Sequence, residues 1–121
     1  MIGDPYNMRD CAQLVRASVL DYDPDFVRGA RYQWSKYNSE LWDRQFENDL
    51  SKIPSGALLY YANKDNRIVH TAIYLGKGRM IDSTDKKPIY GVSERSAYSS
   101  LTYQNKPIAI VGYLYPKQLF K

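Results

Sequence analysis

Two residue types are almost missing from this 121-residue chain: it has one cysteine, Cys11, and one histidine, His70. One cysteine excludes an internal disulfide, so the fold must rest on its own core. Compartment stays open, because a free thiol suits cytosolic proteins and exported cysteine enzymes alike. A lone Cys with a lone His is also poor material for a zinc centre, which takes roughly three or four protein ligands, so no metal or other cofactor is expected. No run approaches the roughly 18 apolar residues of a bilayer span, which excludes membrane insertion by a helix. Repeats, low-complexity tracts and Gly/Ser linkers are absent too, and residues 1–121 read as a single domain.

The net charge of +4 favours anionic surfaces. Its Lys and Arg residues are scattered without a block of one sign, which is the pattern of an ordinary solvated surface and gives no support to a nucleic-acid partner. Twelve tyrosines stand out, and their amphipathic rings suit either a core or the rim of a groove for a peptide or sugar polymer.

Along the chain, Cys11, Leu14, Val15, Ser18 and Val19 fall at helical spacing, which predicts a helix over 10–20 with Asp10 as N-cap. Asp21-Tyr22-Asp23-Pro24-Asp25 is rich in turn formers and ends it. Trp34, Tyr37 and Leu41, then Trp42, Phe46 and Leu50, predict one or two further helices, with the aromatic residues as core. After the break at Pro54-Ser55-Gly56, strands are predicted at 57–61, 68–75, 79–83 and 107–115, with a turn at 63–67 and an irregular stretch from the end of the hairpin to Lys106. A helical start followed by an antiparallel sheet is the α+β class.

The chemistry lies in how these pieces meet. A thiol and an imidazole are the minimum parts of a cysteine nucleophile with its general base. At the first turn of a helix, Cys11 lies near unpaired backbone amides and the positive end of the helix dipole, which favour a thiolate and offer donors for an oxyanion; the charge of Asp10 opposes the first effect. If Gly76-Lys77-Gly78 is a three-residue hairpin loop, Leu75 faces Arg79 and Ala72 faces Asp82, which sets Asp82 diagonally beside His70, within reach of a carboxylate–imidazole hydrogen bond. A two-residue loop turns Asp82 to the opposite face. Each residue has an ordinary alternative: Cys11 as a small buried hydrophobe, His70 as a hydrogen-bonded strand residue, Asp82 as a turn or surface residue, Tyr6 as a packed aromatic.

Three stretches, Asp10-Cys11-Ala12-Gln13-Leu14-Val15, Ser55-Gly56-Ala57-Leu58-Leu59-Tyr60-Tyr61 and His70-Thr71-Ala72-Ile73-Tyr74-Leu75-Gly76-Lys77-Gly78 continuing to Asp82, resemble, in order, the three blocks of the NlpC-type papain-like cysteine peptidases. The departures are Ala12-Gln13 for the usual Ser-Gly, Ala57 for the common Asp, and a shortened stretch between Tyr6 and Cys11. The resemblance implies a papain-like α+β fold in which the helix bearing the nucleophile packs on an antiparallel sheet. It implies hydrolysis of peptide bonds in bacterial peptidoglycan, with Cys11 as nucleophile, His70 as base and Asp82 as the third polar residue. Pro5-Tyr6 resembles the dipeptide ahead of the nucleophile, which makes Tyr6, together with Asp10, a candidate for substrate contact or oxyanion support.

On that reading the partners are peptidoglycan peptide stems and, for a toxin, a cognate immunity or inhibitor protein. Met1-Ile2-Gly3-Asp4-Pro5 shows no secretory signal, so action at the cell wall or periplasm implies delivery by a secretion system, a phage particle or a longer chain. Two other readings stay open: a Cys-His-Asp acyltransferase of the transglutaminase kind, told apart by whether water or an amine accepts the acyl group, and a catalytically silent phage-tail or wall-binding module, told apart by an unreactive thiol.

Overall fold

The computed structural model describes residues 11–84, 91–98 and 101–117. Helix α1 spans Cys11–Val19 and helix α2 spans Ala30–Lys36; the strands are β1 Trp42–Phe46, β2 Leu58–Ala62, β3 Ile68–Gly76, β4 Arg79–Thr84, β5 Gly91–Ser96, β6 Leu101–Tyr103 and β7 Lys106–Pro116. Six of the strands form one path in the order β1-β7-β2-β3-β4-β5, and β6 pairs with β7 beside it. Every pairing is antiparallel, so the class is α+β as expected.

β2 is buried at all five positions, and its alternation supplies two cores rather than one. Leu58, Tyr60 and Ala62 face Ala12 and Val15 of α1, Ala30 and Trp34 of α2, and Trp42. Leu59 and Tyr61 pack instead with Leu50, Ile53, Ala72, Tyr74, Met80 and Leu101. A strand covered on both sides reads as a continuous apolar run, which is why 57–61 is plain in the sequence.

α1 buries Ala12, Leu14 and Val15 along one stripe. It stops where the amides of Tyr22 and Asp23 both donate to the carbonyl of Val19, and Asp23 turns its buried carboxylate onto the Trp42 indole, Nε1 to Oδ2 2.7 Å. Asp10, the expected N-cap, lies outside the described residues.

Four expectations need correction. The segment from Trp42 to Phe46 is a strand paired with β7 and not a helix. Trp42, Phe46 and Leu50 recur every four residues, a spacing that satisfies a period of two as well as a helix, and the ladder that β7 offers from Gly112 to Pro116 decides for the strand. The stretch read as irregular contains β5 and β6; β5 (Gly-Val-Ser-Glu-Arg-Ser) offers almost no apolar alternation. β7 does not close the sheet but lies between β1 and β2.

The fourth correction concerns the hairpin. Its turn has two residues, Lys77 and Gly78, both at positive φ (53° and 75°), as a type I′ turn requires. By count this should carry Asp82 to the wrong face. The strand irregularity between Tyr74 and Gly76 adds one residue back: Gly76 pairs with Arg79, whereas Tyr74 pairs with Met80 and Ile73 with Ile81. Continued by one residue, that register sets Ala72 opposite Asp82. Gly76 serves this bulge at φ 85°, and a Cβ there would meet the Ser55 side chain at 3.1 Å.

Candidate active site

Cys11, His70 and Asp82 come from three elements, α1, β3 and β4. The start of α1 is tied down by Gln33, a fully buried residue of α2. Its Nε2 donates to the carbonyls of Ala12 at 3.0 Å and Val27 at 3.1 Å, while its Oε1 accepts from the Tyr60 hydroxyl at 3.0 Å. One amide therefore fixes the first turn of α1 against β2, and burial pushes the Tyr60 hydroxyl far above the ordinary tyrosine range, so it stays a neutral donor.

His70 lies opposite Tyr61 in the β2–β3 register, and the two rings are tilted together with centroids 5.5 Å apart. Its Nε2 is 2.8 Å from Oδ2 of Asp82. An ionised carboxylate only accepts, so Nε2 carries the proton and Nδ1 is left to face another group as acceptor. Cys11 is the other neighbour that acts on the ring. Burial pushes the His70 pKa down, but the charge of Cys11 and the hydrogen bonds and charge of its two partners outweigh it, and the value is pushed up to about 9.

Asp82 is fully buried (0% exposed). Burial works against its ionisation, yet hydrogen bonds from His70 and Arg95, and their charges, hold its pKa below the usual carboxylate value. Arg95 of β5 is the residue that sequence reasoning missed. It grips the carboxylate with both arms of its fork, Nε to Oδ1 at 2.9 Å and Nη2 to Oδ2 at 2.5 Å. Its strand is polar apart from Val92, and only the register that pairs Met80 with Arg95 and Asp82 with Ser93 reveals that it shares a face with Asp82.

Tyr6 and Asp10, also candidates from the sequence, lie outside the described residues. Among the described residues no group of three or more His, Cys, Asp or Glu is placed to hold a metal ion, and no helix is long and apolar enough to cross a membrane.

The arrangement is thus a thiol at a helix start, an imidazole beside it, and a carboxylate fixing the tautomer of that ring, which together are equipped for nucleophilic attack on a carbonyl. Comparison with curated proteins and with solved structures gives no significant match. The family model described as the NlpC/P60 family matches residues 3–108, a span that includes α1, the β3–β4 hairpin and β5. With most of its length matched, and with the three blocks read from the sequence inside that span, the chain belongs to the NlpC/P60 family.

Proposed function

We propose that the chain hydrolyses peptide bonds of bacterial peptidoglycan through a thioester on Cys11. Membership of the NlpC/P60 family implies cell-wall peptidase- or amidase-like activity; the residue roles and the mechanism are our reading. The observation that carries it is the place of the only histidine, whose ring interacts with the only cysteine on one side and hydrogen-bonds a buried carboxylate on the other.

In this mechanism the Cys11 thiolate attacks the amide carbonyl carbon and forms a C–S bond. Backbone amides at the start of α1 receive the oxyanion. His70 gives its Nδ1 proton to the leaving nitrogen as the C–N bond breaks, then takes a proton from the water that attacks the thioester, releasing a carboxylate and restoring the sulfur. Asp82 keeps Nε2 protonated and the ring aimed throughout. The papain-like arrangement, with the nucleophile's helix set against the sheet that bears the base, belongs to the same proposal, as does operation of the chain as one catalytic unit. Tyr6 and Asp10 are assigned to substrate contact or oxyanion support on the family resemblance alone.

The proposed substrates are the peptide stems of the wall, so the site of action is the cell wall or periplasm. We place delivery with a secretion system, a phage particle or a longer chain, and as a toxin the protein would be held in check by an immunity protein that plugs its cleft. The test is digestion of purified peptidoglycan by the wild type and by Cys11→Ala, with fragments identified by mass spectrometry. New amino and carboxyl termini should appear with the wild type only. Equal digestion by both proteins removes the thiol mechanism.

A further inference from the structure

We infer that Arg95 is a positioning residue of this reaction: its guanidinium closes a line of four alternating charges, running from sulfur to imidazole to carboxylate to guanidinium, and holds Asp82 in the orientation that serves His70. The inference rests on the thiol reading above.

Three observations carry it. Asp82 Oδ2 is shared, accepting from His70 Nε2 at 2.8 Å and from Arg95 Nη2 at 2.5 Å, while Oδ1 accepts from Arg95 Nε at 2.9 Å. A carboxylate held by the imidazole alone would be free to rotate about its last bond; a planar fork on both oxygens removes that freedom, which a lysine with its single point of charge does not do. Second, the cluster is dry: the side chains of His70, Arg95 and Asp82 are 11%, 15% and 0% exposed. A carboxylate so placed without a cation is costly to keep ionised. Third, Arg95 approaches from β5, the strand beyond β4, and reaches Asp82 from outside the β3–β4 hairpin, whereas the other charged influence on that carboxylate, His70, comes from within the hairpin. The ionisable groups facing the carboxylate are His70 from β3, Arg95 from β5 and Tyr61 from β2, with Cys11 of α1 on the far side of the imidazole. Burial holds the Tyr61 hydroxyl neutral, above the ordinary tyrosine range.

With thiolate and imidazolium formed, the four charges cancel. Removing Arg95 leaves a net negative charge in a buried site, which favours protonation of Asp82 and of the sulfur. The acid limb of Cys11 reactivity then moves to higher pH. The alkaline limb of hydrolysis, set by loss of the His70 proton that the leaving nitrogen takes, moves the same way, because a cation that opposed the imidazolium is gone.

The experiment is the rate of Cys11 alkylation by iodoacetamide from pH 4 to 10, which needs no knowledge of substrate, run beside peptidoglycan hydrolysis at the same pH values. For Arg95→Met the inference expects the acid limb of alkylation, and both limbs of hydrolysis, to move upward by about one pH unit, so that alkylation at a fixed pH on the acid flank falls about tenfold. Arg95→Lys, which keeps the charge and loses the fork, should leave the limbs within about 0.3 unit of the wild type while hydrolysis at the optimum falls about tenfold or more. A merely structural arginine would change thermal stability and leave the limbs in place. If Arg95→Met does not fold, the lysine variant decides, and wild-type hydrolysis in it overturns the inference. Superposable alkylation profiles for the wild type and a folded Arg95→Met also overturn it while leaving the thiol reading intact. A wild-type Cys11 no more reactive at pH 6 than a free thiol overturns both.

Discussion

Cys11→Ala should release His70 from the charge that holds its proton. The ring is pushed from 6.5 up to about 9, a preference for imidazolium of about 3 kcal/mol at 1.36 kcal/mol per unit. Burial opposes this rise, and the charge of Cys11 leads the influences that produce it, ahead of the hydrogen bond to Asp82, the hydrogen bond to Cys11 and the charge of Asp82. Alanine removes both sulfur contributions and leaves burial and Asp82 in place. The pKa should therefore drop, by about one unit or more. The sign follows from linkage: for the proton on His70, with the sulfur kept as thiolate, the folded state gains fully below pH 6.5 and loses that gain as pH rises to about 9. In the variant the loss comes at lower pH. Because His70 is the only histidine, carbon-13 labelling of histidine gives one imidazole signal, and its titration by NMR from pH 5 to 10 needs no assignment. A midpoint in Cys11→Ala within about 0.3 unit of the wild type would refute the pairing of sulfur and imidazole, and with it the mechanism.

Asp82→Asn keeps the shape but leaves Arg95 buried without its anion, so unfolding by urea should show a loss of about 3 kcal/mol or more at pH 7, with hydrolysis down about 100-fold or more; a loss under 1 kcal/mol would contradict the buried pairing. Since the Asp82 pKa is lowered from 3.8, its ionisation stabilises the fold above that value and ceases to as pH falls through the lower folded value, so acid unfolding should be steeper in the wild type than in Asp82→Asn. Gly112→Ala sets a Cβ 2.0 Å from the Gln45 carbonyl oxygen and must prise β1 from β7, costing about 3 kcal/mol or more in the same assay; an unchanged midpoint would mean that the strands part without cost. Deleting Gly76 removes the bulge residue and should abolish hydrolysis by slipping Asp82 off the His70 face; near-wild-type rates would show that the register is set elsewhere. Ser93 Oγ is buried without a hydrogen-bond partner among the described residues, so Ser93→Ala should be neutral or stabilising by thermal melting, and a loss of more than about 1 kcal/mol would reveal a partner.

The elements that can be read from the sequence are those whose burial is local or one-sided. α1 shows its stripe through Leu14 and Val15, and β2 shows its double burial through an unbroken apolar run. β1 is ambiguous on physical grounds, because Trp42 and Phe46 lie four apart and four is a multiple of the strand period. β5 is invisible for a different reason. It is an edge strand with one apolar side chain, Val92, in its core, and it exists because β4 offers it a ladder from Arg79 to Thr84.

The site shows the same division between local and tertiary information. Cys11 and His70 announce themselves by being single, and Asp82 by its count from His70 across a hairpin. That count was right for a reason the sequence does not display. A two-residue turn alone would have moved Asp82 to the other face, and the bulge at Gly76 restores the one residue that a longer loop would have supplied. Local pattern reports the sum of turn and bulge without separating them, since both move the register by whole residues. Arg95 carries no such count: its partner lies 13 positions earlier, on a strand reached through residues whose pattern gives no pairing. The Arg95 contact to Asp82 is therefore encoded in tertiary register, and on the inference drawn above a chain with the same three motif residues but a different residue at 95 would look identical in its motif blocks while reacting at a different pH.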